Sequence, residues 1–135
     1  MGTFTHEITV RFHEVDRAGI VFFGRIFEYC HVAFEEILRA MELTSVFERE
    51  NWGMPLVHAE ADFKRPMRMG DRIAIVTTIE SRTGGSLTFA FEVLGAEDRQ
   101  LRASVRHVHA FVALDTMEPT AFPPSLDEGL TRLEL

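Results

Sequence analysis

The sequence predicts a single α+β domain, residues 1–135, in which one long helix packs on an antiparallel five-stranded sheet. Three observations carry this. Near the N-terminus, Ile8, Val10 and Phe12 alternate with Thr9, Arg11 and His13. From Arg25 to Met41 the apolar spacing becomes helical. Beyond residue 55, four stretches of alternating apolarity are separated by turn residues. A chain of 135 residues is one domain, with enough length to bury a core without disulfides.

The opening alternation predicts a half-buried strand, ended by the turn chemistry of Asp16-Arg17-Ala18-Gly19. Ile26, Cys30, Phe34, Ile37, Leu38 and Met41 make one helical stripe, with Glu28, Glu35, Glu36 and Arg39 facing elsewhere. A shorter helical piece is expected near Ser45–Asn51. Leu56 to Lys64 is the next strand, and Pro66, Gly70 and Asp71 break the chain after it. Ile73, Ile75, Thr77 and Ile79 alternate through a third strand. Gly84-Gly85 is expected to turn the chain through positive φ. Leu87, Phe89, Phe91 and Val93 return, and Glu97–Arg99 turns again. Ala103, Val105, His107, His109 and Phe111 share one face of the last strand. Ser125-x-x-Glu128 after two prolines reads as a capping box opening a short helix. The expected order is thus strand, helix, and four strands in meander. One helix cannot cover five strands, and edges need protection, so the sheet is expected to extend or pack across a subunit interface.

Composition excludes several classes. Asp and Glu number 21 against 14 Lys and Arg, a net charge of −7, which argues against a general nucleic-acid partner. One cysteine, Cys30, excludes an internal disulfide and a cysteine-based zinc cluster, and it lies in the helical stripe as a packing thiol. No apolar run approaches the ~18 residues of a membrane helix. The N-terminus lacks the pattern of a signal peptide, so a cytoplasmic location is expected. The charge is uneven: residues 64–106 hold eight of the 14 bases but only five of the 21 acids. A local basic segment in an acidic chain suits an anionic ligand.

The chemistry concentrates in Phe12-His13-Glu14-Val15-Asp16-Arg17-Ala18-Gly19-Ile20-Val21-Phe22-Phe23. An acidic residue ends a strand, a glycine turn and four apolar residues come next, and the helix begins. Such an order can set a carboxylate in an apolar pocket, where desolvation makes its anion more reactive. It also aims free N–H groups of the first helical turn at the same space, and one such donor to an oxyanion is worth on the order of 3–4 kcal/mol. A carboxylate beside an oxyanion site suits acyl transfer to water. The same residues also make an ordinary turn, and the spacing alone does not decide between the two.

This segment resembles the hotdog-fold acyl-CoA thioesterases, in particular the 4-hydroxybenzoyl-CoA and Tol-Pal-associated thioesterases. The resemblance rests on Asp16 to Phe23, and more loosely on Phe63-Lys64-Arg65-Pro66-Met67-Arg68-Met69-Gly70-Asp71. It covers about residues 5–115 and implies a hotdog fold and hydrolysis of a coenzyme A thioester, releasing free CoA and a carboxylic acid. Asp16 matches the family's catalytic aspartate, as nucleophile or as general base. The Phe23 backbone N–H matches the donor that polarises the thioester carbonyl, with Gly24 assisting. In relatives the active site lies at a dimer interface, which implies a homo-oligomer, a dimer at least and a tetramer in this branch. No metal or organic cofactor is implied, coenzyme A being part of the substrate.

The resemblance also suggests binding residues. His31, on a helix face with Phe27 and Phe34, matches the position where hydroxybenzoyl enzymes place an acid against the ring hydroxyl, which points to an aryl-CoA substrate such as hydroxybenzoyl-CoA. Arg82, Thr83 and Ser86 around the Gly84-Gly85 turn, and His109 in the last strand, match nucleotide contacts. Arg65 and Arg68 are further cationic candidates. Glu14 shares a strand face with Asp16 and is expected to act on its charge or to be solvated. Arg25-Ile26 stands where relatives often have Asn-Tyr, and Phe23 where the Tol-Pal group has His. Short- or medium-chain aliphatic acyl-CoA hydrolysis, and binding of acyl-CoA without hydrolysis, are the alternatives.

Overall fold

A computed structural model describes residues 2–135. Strand β1 (Phe4–Thr9) is followed by a 3-10 turn, Phe12–Glu14, and by the long helix α1 (Arg25–Ala40). A short helix, α2 (Val46–Glu50), leads into β2 (Leu56–Phe63), β3 (Arg72–Arg82), β4 (Ser86–Gly95) and β5 (Leu101–Ala110). Helix α3 (Pro124–Arg132) closes the chain.

All five strands lie antiparallel in one sheet of order β1-β3-β4-β5-β2. The α1 stripe is buried as predicted: Ile26, Cys30, Ile37 and Met41 are at most 2 % exposed. It packs on the inner faces of β3, β4 and β5, where Ile73, Ile75, Leu87, Phe89, Phe91, Val93, Ala103 and Val105 have almost no exposed surface. Fully burying each such side chain contributes about 1.5–3 kcal/mol, so this interface dominates stability.

The strand order corrects the four-strand meander. Only β3, β4 and β5 run consecutively, while β2 pairs with the far side of β5. The connection from residue 64 to 71 is too long for a tight hairpin and crosses beneath the start of α1. There Lys64 and Arg65 N–H groups reach Arg102 O, Val21 N–H reaches Met67 O, and Gly70 N–H reaches Val10 O. Gly70, at φ 88°, makes the bend before β3.

Three local expectations also change. The first strand stops at Thr9, and Phe12 turns outward, 78 % exposed, because the chain winds into the 3-10 turn. The β3–β4 hairpin forms, but neither Gly84 nor Gly85 uses positive φ. Its turn is closed by Thr83 N–H to Ser86 O and by a hydroxyl pair, Thr83 Oγ1 to Ser86 Oγ at 2.8 Å. The capping box does not form. Pro123 occupies the cap position, and the Ser125 hydroxyl donates to Glu50 Oε1 at 2.7 Å, tying α3 to α2.

Strand β2 is the most exposed strand of the sheet. Leu56, Val57 and Phe63 are 40 %, 60 % and 47 % exposed, and Ala59 is exposed too. Its outer edge has no partner strand among the described residues. Among the described residues, no helix is long and apolar enough to cross a membrane.

Candidate active site

The site is built on the loop between β1 and α1. Val15 and Val21 form an isolated antiparallel bridge that pinches the loop shut. Inside it, Asp16 N–H donates to Ile20 O at 2.8 Å, and Gly19 N–H donates to Asp16 O at 2.9 Å. Gly19 sits at φ 80°, where a side chain is strained. The Asp16 side chain closes an Asx turn, Oδ1 accepting Ala18 N–H at 2.8 Å. That bond fixes one carboxylate oxygen and leaves the other without a protein partner.

Helix α1 begins one residue after Gly24, which occupies its cap position in helical conformation. Phe22 N–H is held by Glu14 O at 3.0 Å, and Arg25 N–H by Phe22 O. Phe23 and Gly24 N–H groups, between them, have no acceptor among the described residues, as the end of a helix requires. Asp16 and Phe23 line one cleft of about 550 Å³, with Ile20, Val21, Phe22, Phe63, Lys64, Arg65, Pro66 and Met67. An aspartate, the residues that open α1, apolar walls and two cations thus line one space. One expectation is corrected: Asp16 is exposed in the single chain rather than buried. Its desolvation must come from bound substrate or from a second subunit.

The other candidates divide between this cleft and the opposite end of the molecule. Arg65 lies in the cleft, and its guanidinium has no carboxylate partner among the described residues. His31 is exposed on α1, 5.3 Å from the Phe34 ring, and lines a second cavity of about 500 Å³ with Phe34, Leu38, Phe47, Met54 and Leu114. Phe27 is half-buried, stacked 6.0 Å from His107. Arg82 is not a free cation: it pairs with Asp127 of α3 and stacks over Phe122 at 4.2 Å. Thr83 and Ser86 bond to each other.

His109 contradicts its expected nucleotide role. It is 1 % exposed, hydrogen-bonded through Nδ1 to Met54 O at 2.8 Å, and packed on Phe34. Burial holds it below its ordinary pKa, so it is neutral and out of reach of phosphate. His107 beside it is fully buried with neither ring nitrogen bonded, and burial pushes it down to about 4. Cys30 is a buried thiol, raised above its ordinary pKa by desolvation.

The strand register shows why one chain does not bring the candidates together. Phe63 and Ala103 mark the Asp16 end of the sheet; Leu56, His109, Leu87 and Arg82 mark the other. Six residues of β5 separate them, roughly 20 Å at strand rise.

Glu14 departs furthest from its sequence reading, through a contact with Tyr29, which that reading does not single out. Glu14 is neither solvated nor placed to act chiefly on Asp16. Its Oε1 accepts the Tyr29 hydroxyl at 2.8 Å and Arg11 N–H at 2.8 Å. The signal for this pair is the one tyrosine among the buried side chains of α1, because a buried phenol usually finds an acceptor.

The five-stranded antiparallel sheet around one long helix, with an aspartate and the start of that helix lining one cleft, is the architecture of the hotdog thioesterases. The family model of the thioesterase-like superfamily matches residues 10–130, and the chain belongs to that family. It is 33 % identical over 136 residues to a 1,4-dihydroxy-2-naphthoyl-CoA hydrolase of Synechocystis sp., covering 99 % of both chains. The corresponding hydrolase of Nostoc punctiforme is 38 % identical over 109 residues, 78 % of this chain and 73 % of that one. The crystal structure of a 1,4-dihydroxy-2-naphthoyl-CoA thioesterase from Synechocystis superposes with a TM-score of 0.90 at 30 % identity, covering 99 % of each. The chain is therefore an acyl-CoA thioesterase by family and fold.

Proposed function

We propose that this enzyme hydrolyses an aryl-CoA thioester whose acyl group is a hydroxylated aromatic acid, 1,4-dihydroxy-2-naphthoyl-CoA being the first candidate. The observation that carries the reading is end-to-end similarity to hydrolases of that substrate, joined to the cleft that holds Asp16 and the Phe23 N–H. In the proposed reaction, the thioester carbonyl oxygen takes the Phe23 N–H, with Gly24 N–H beside it. Asp16 either attacks the carbonyl carbon or removes a proton from the attacking water. Both routes need its ionised carboxylate, and both release CoA thiol and a free acid. Arg65 and Arg68 on the crossing segment suit the coenzyme A phosphates.

The bare β2 edge supports a dimer. Antiparallel pairing of β2 with β2 of a second copy would set the Phe63 end of one against the Leu56 end of the other. The Asp16 cleft would then adjoin the His31 cavity and the Thr83–Ser86 turn of the second subunit, the elements that lie apart within one chain. In that arrangement His31 reads a ring hydroxyl. The apolar walls of its cavity suit a flat acyl group better than a charged one.

The test is a thiol-release screen over 1,4-dihydroxy-2-naphthoyl-, 4-hydroxybenzoyl-, benzoyl- and straight-chain acyl-CoA, with Asp16→Asn as control. We expect kcat/KM for a hydroxylated aryl substrate at least tenfold above any aliphatic one, and a loss of at least a thousandfold in the variant. A straight-chain acyl-CoA as best substrate overturns the aryl reading. Binding without turnover on any thioester makes the protein an acyl-CoA-binding module instead. Equal effects of His31→Ala on hydroxybenzoyl- and benzoyl-CoA remove the recognition role of His31.

A further inference from the structure

We propose that Tyr29 and Glu14 are positioning residues that lock the Asp16 loop to helix α1 and so hold the carboxylate in register with the Phe23 N–H. The proposal deepens the reading above and rests on it. Glu14 is the knot where three pieces of chain meet. Its carboxylate takes the Tyr29 hydroxyl from α1 and Arg11 N–H from the incoming arm of the loop, both at 2.8 Å. Its carbonyl takes Phe22 N–H from the outgoing arm at 3.0 Å. Phe22 is the residue before the proposed oxyanion donor, and Asp16 lies two residues beyond Glu14. Displacing Glu14 therefore moves both reacting groups, and moves them relative to each other.

The surroundings favour a rigid link. Tyr29 is 3 % exposed, and the Glu14 side chain is 16 % exposed. Burial first, and then the Glu14 bond, raise the phenol above its ordinary pKa, so it stays a neutral donor. A parallel tie acts one turn earlier, where the Arg25 guanidinium donates to His13 O at 3.4 Å while pairing with Glu28 at 3.0 Å. His13 Nε2 stands 3.9 Å from Glu14 Oε2 and is largely exposed. None of these groups lines the Asp16 cleft. They are placed to fix geometry, and a displacement of about 1 Å at a reacting group can cost on the order of a hundredfold in rate.

Tyr29→Phe removes only the hydroxyl and keeps the buried ring. We expect kcat on the best thioester to fall about tenfold or more, KM to stay within twofold, and the fold to be retained by circular dichroism. Glu14→Ala should lose more, and Glu14→Gln, which keeps an acceptor oxygen, should recover a large part of that loss. The double variant Glu14→Ala/Tyr29→Phe should be no worse than Glu14→Ala, since the two act through one bond. Multiplicative losses, or a rise in KM with kcat intact, overturn the proposal. So does full kcat in Tyr29→Phe while Asp16→Asn is inactive, which leaves the catalytic reading standing. Full activity in Asp16→Asn instead removes the catalytic reading and this proposal with it.

Discussion

His107 offers the sharpest test of how this fold is held together. The ring is completely buried on the inner face of β5, against Phe27 and Phe91, and neither nitrogen has a partner. Desolvation, then the neighbouring His109 and His31, hold its pKa at about 4 against an ordinary 6.5. Between those two values the unfolded chain binds a proton that the folded chain refuses. Stability therefore falls as pH drops from about 6.5 toward 4, and this contribution is absent above 6.5. At 1.36 kcal/mol per tenfold change in proton affinity, the ceiling is about 3 kcal/mol. Its neighbours Ala59 on β2 and Phe27 on α1 are themselves exposed and half-exposed, so screening lowers the effect to about 2 kcal/mol. His107→Leu, similar in volume, removes the proton site.

Thermal melts of the wild type and this variant between pH 8 and pH 4.5 read the effect. At pH 8 the two should lie within about 1 kcal/mol, the lost ring contacts offsetting the removal of two unbonded buried nitrogens. Toward pH 4.5 the variant should gain about 6 °C in Tm on the wild type, at about 3 °C per kcal/mol for a domain of this size. His109, also held low by burial, titrates in both proteins and leaves a residual slope. Parallel curves over the whole range would refute the reasoning.

Other consequences concern the cations, the core and the loop. Arg65→Ala should raise KM for the CoA thioester fivefold or more with kcat little changed, measured at low ionic strength, where the phosphate attraction is least screened. Arg82→Ala should act on stability instead, lowering the unfolding free energy by about 1 kcal/mol, because its partners are Asp127 and Phe122 of the C-terminal segment. Ile37→Ala, at a fully buried α1 position, should cost about 3 kcal/mol in urea unfolding with an unchanged slope. Gly19→Ala, at φ 80°, should lower both kcat and stability by straining the Asp16 turn, seen in paired melts and thiol-release rates.

The features legible in the residues alone are those that depend on local spacing. The α1 stripe, the inward faces of β3 to β5 and the Asp16 turn all arise from periodicity or turn chemistry within a few residues. Expectation and structure part where a distant segment decides. Strand β2 leaves β3 because the crossing segment bonds to Val10 and Val21, more than forty residues earlier. Ser125 abandons its own helix cap because Glu50 is within reach. Arg82 reads as a free cation because α3 is invisible from the β3–β4 turn, and His109 reads as a nucleotide contact only through the family resemblance, since its alternation with Ala103, Val105 and Phe111 sets it on the covered face. Glu14 shows the same limit at the site itself. Its spacing from Asp16 suggests an electrostatic partner, yet the Tyr29 hydroxyl, fifteen residues on, claims its carboxylate. Local sequence thus places the proposed reacting groups on adjoining turns, but in this proposal their alignment depends on a contact between the loop and the second turn of α1. A substitution at Tyr29 can then alter turnover without touching any residue of the motif that identifies the family.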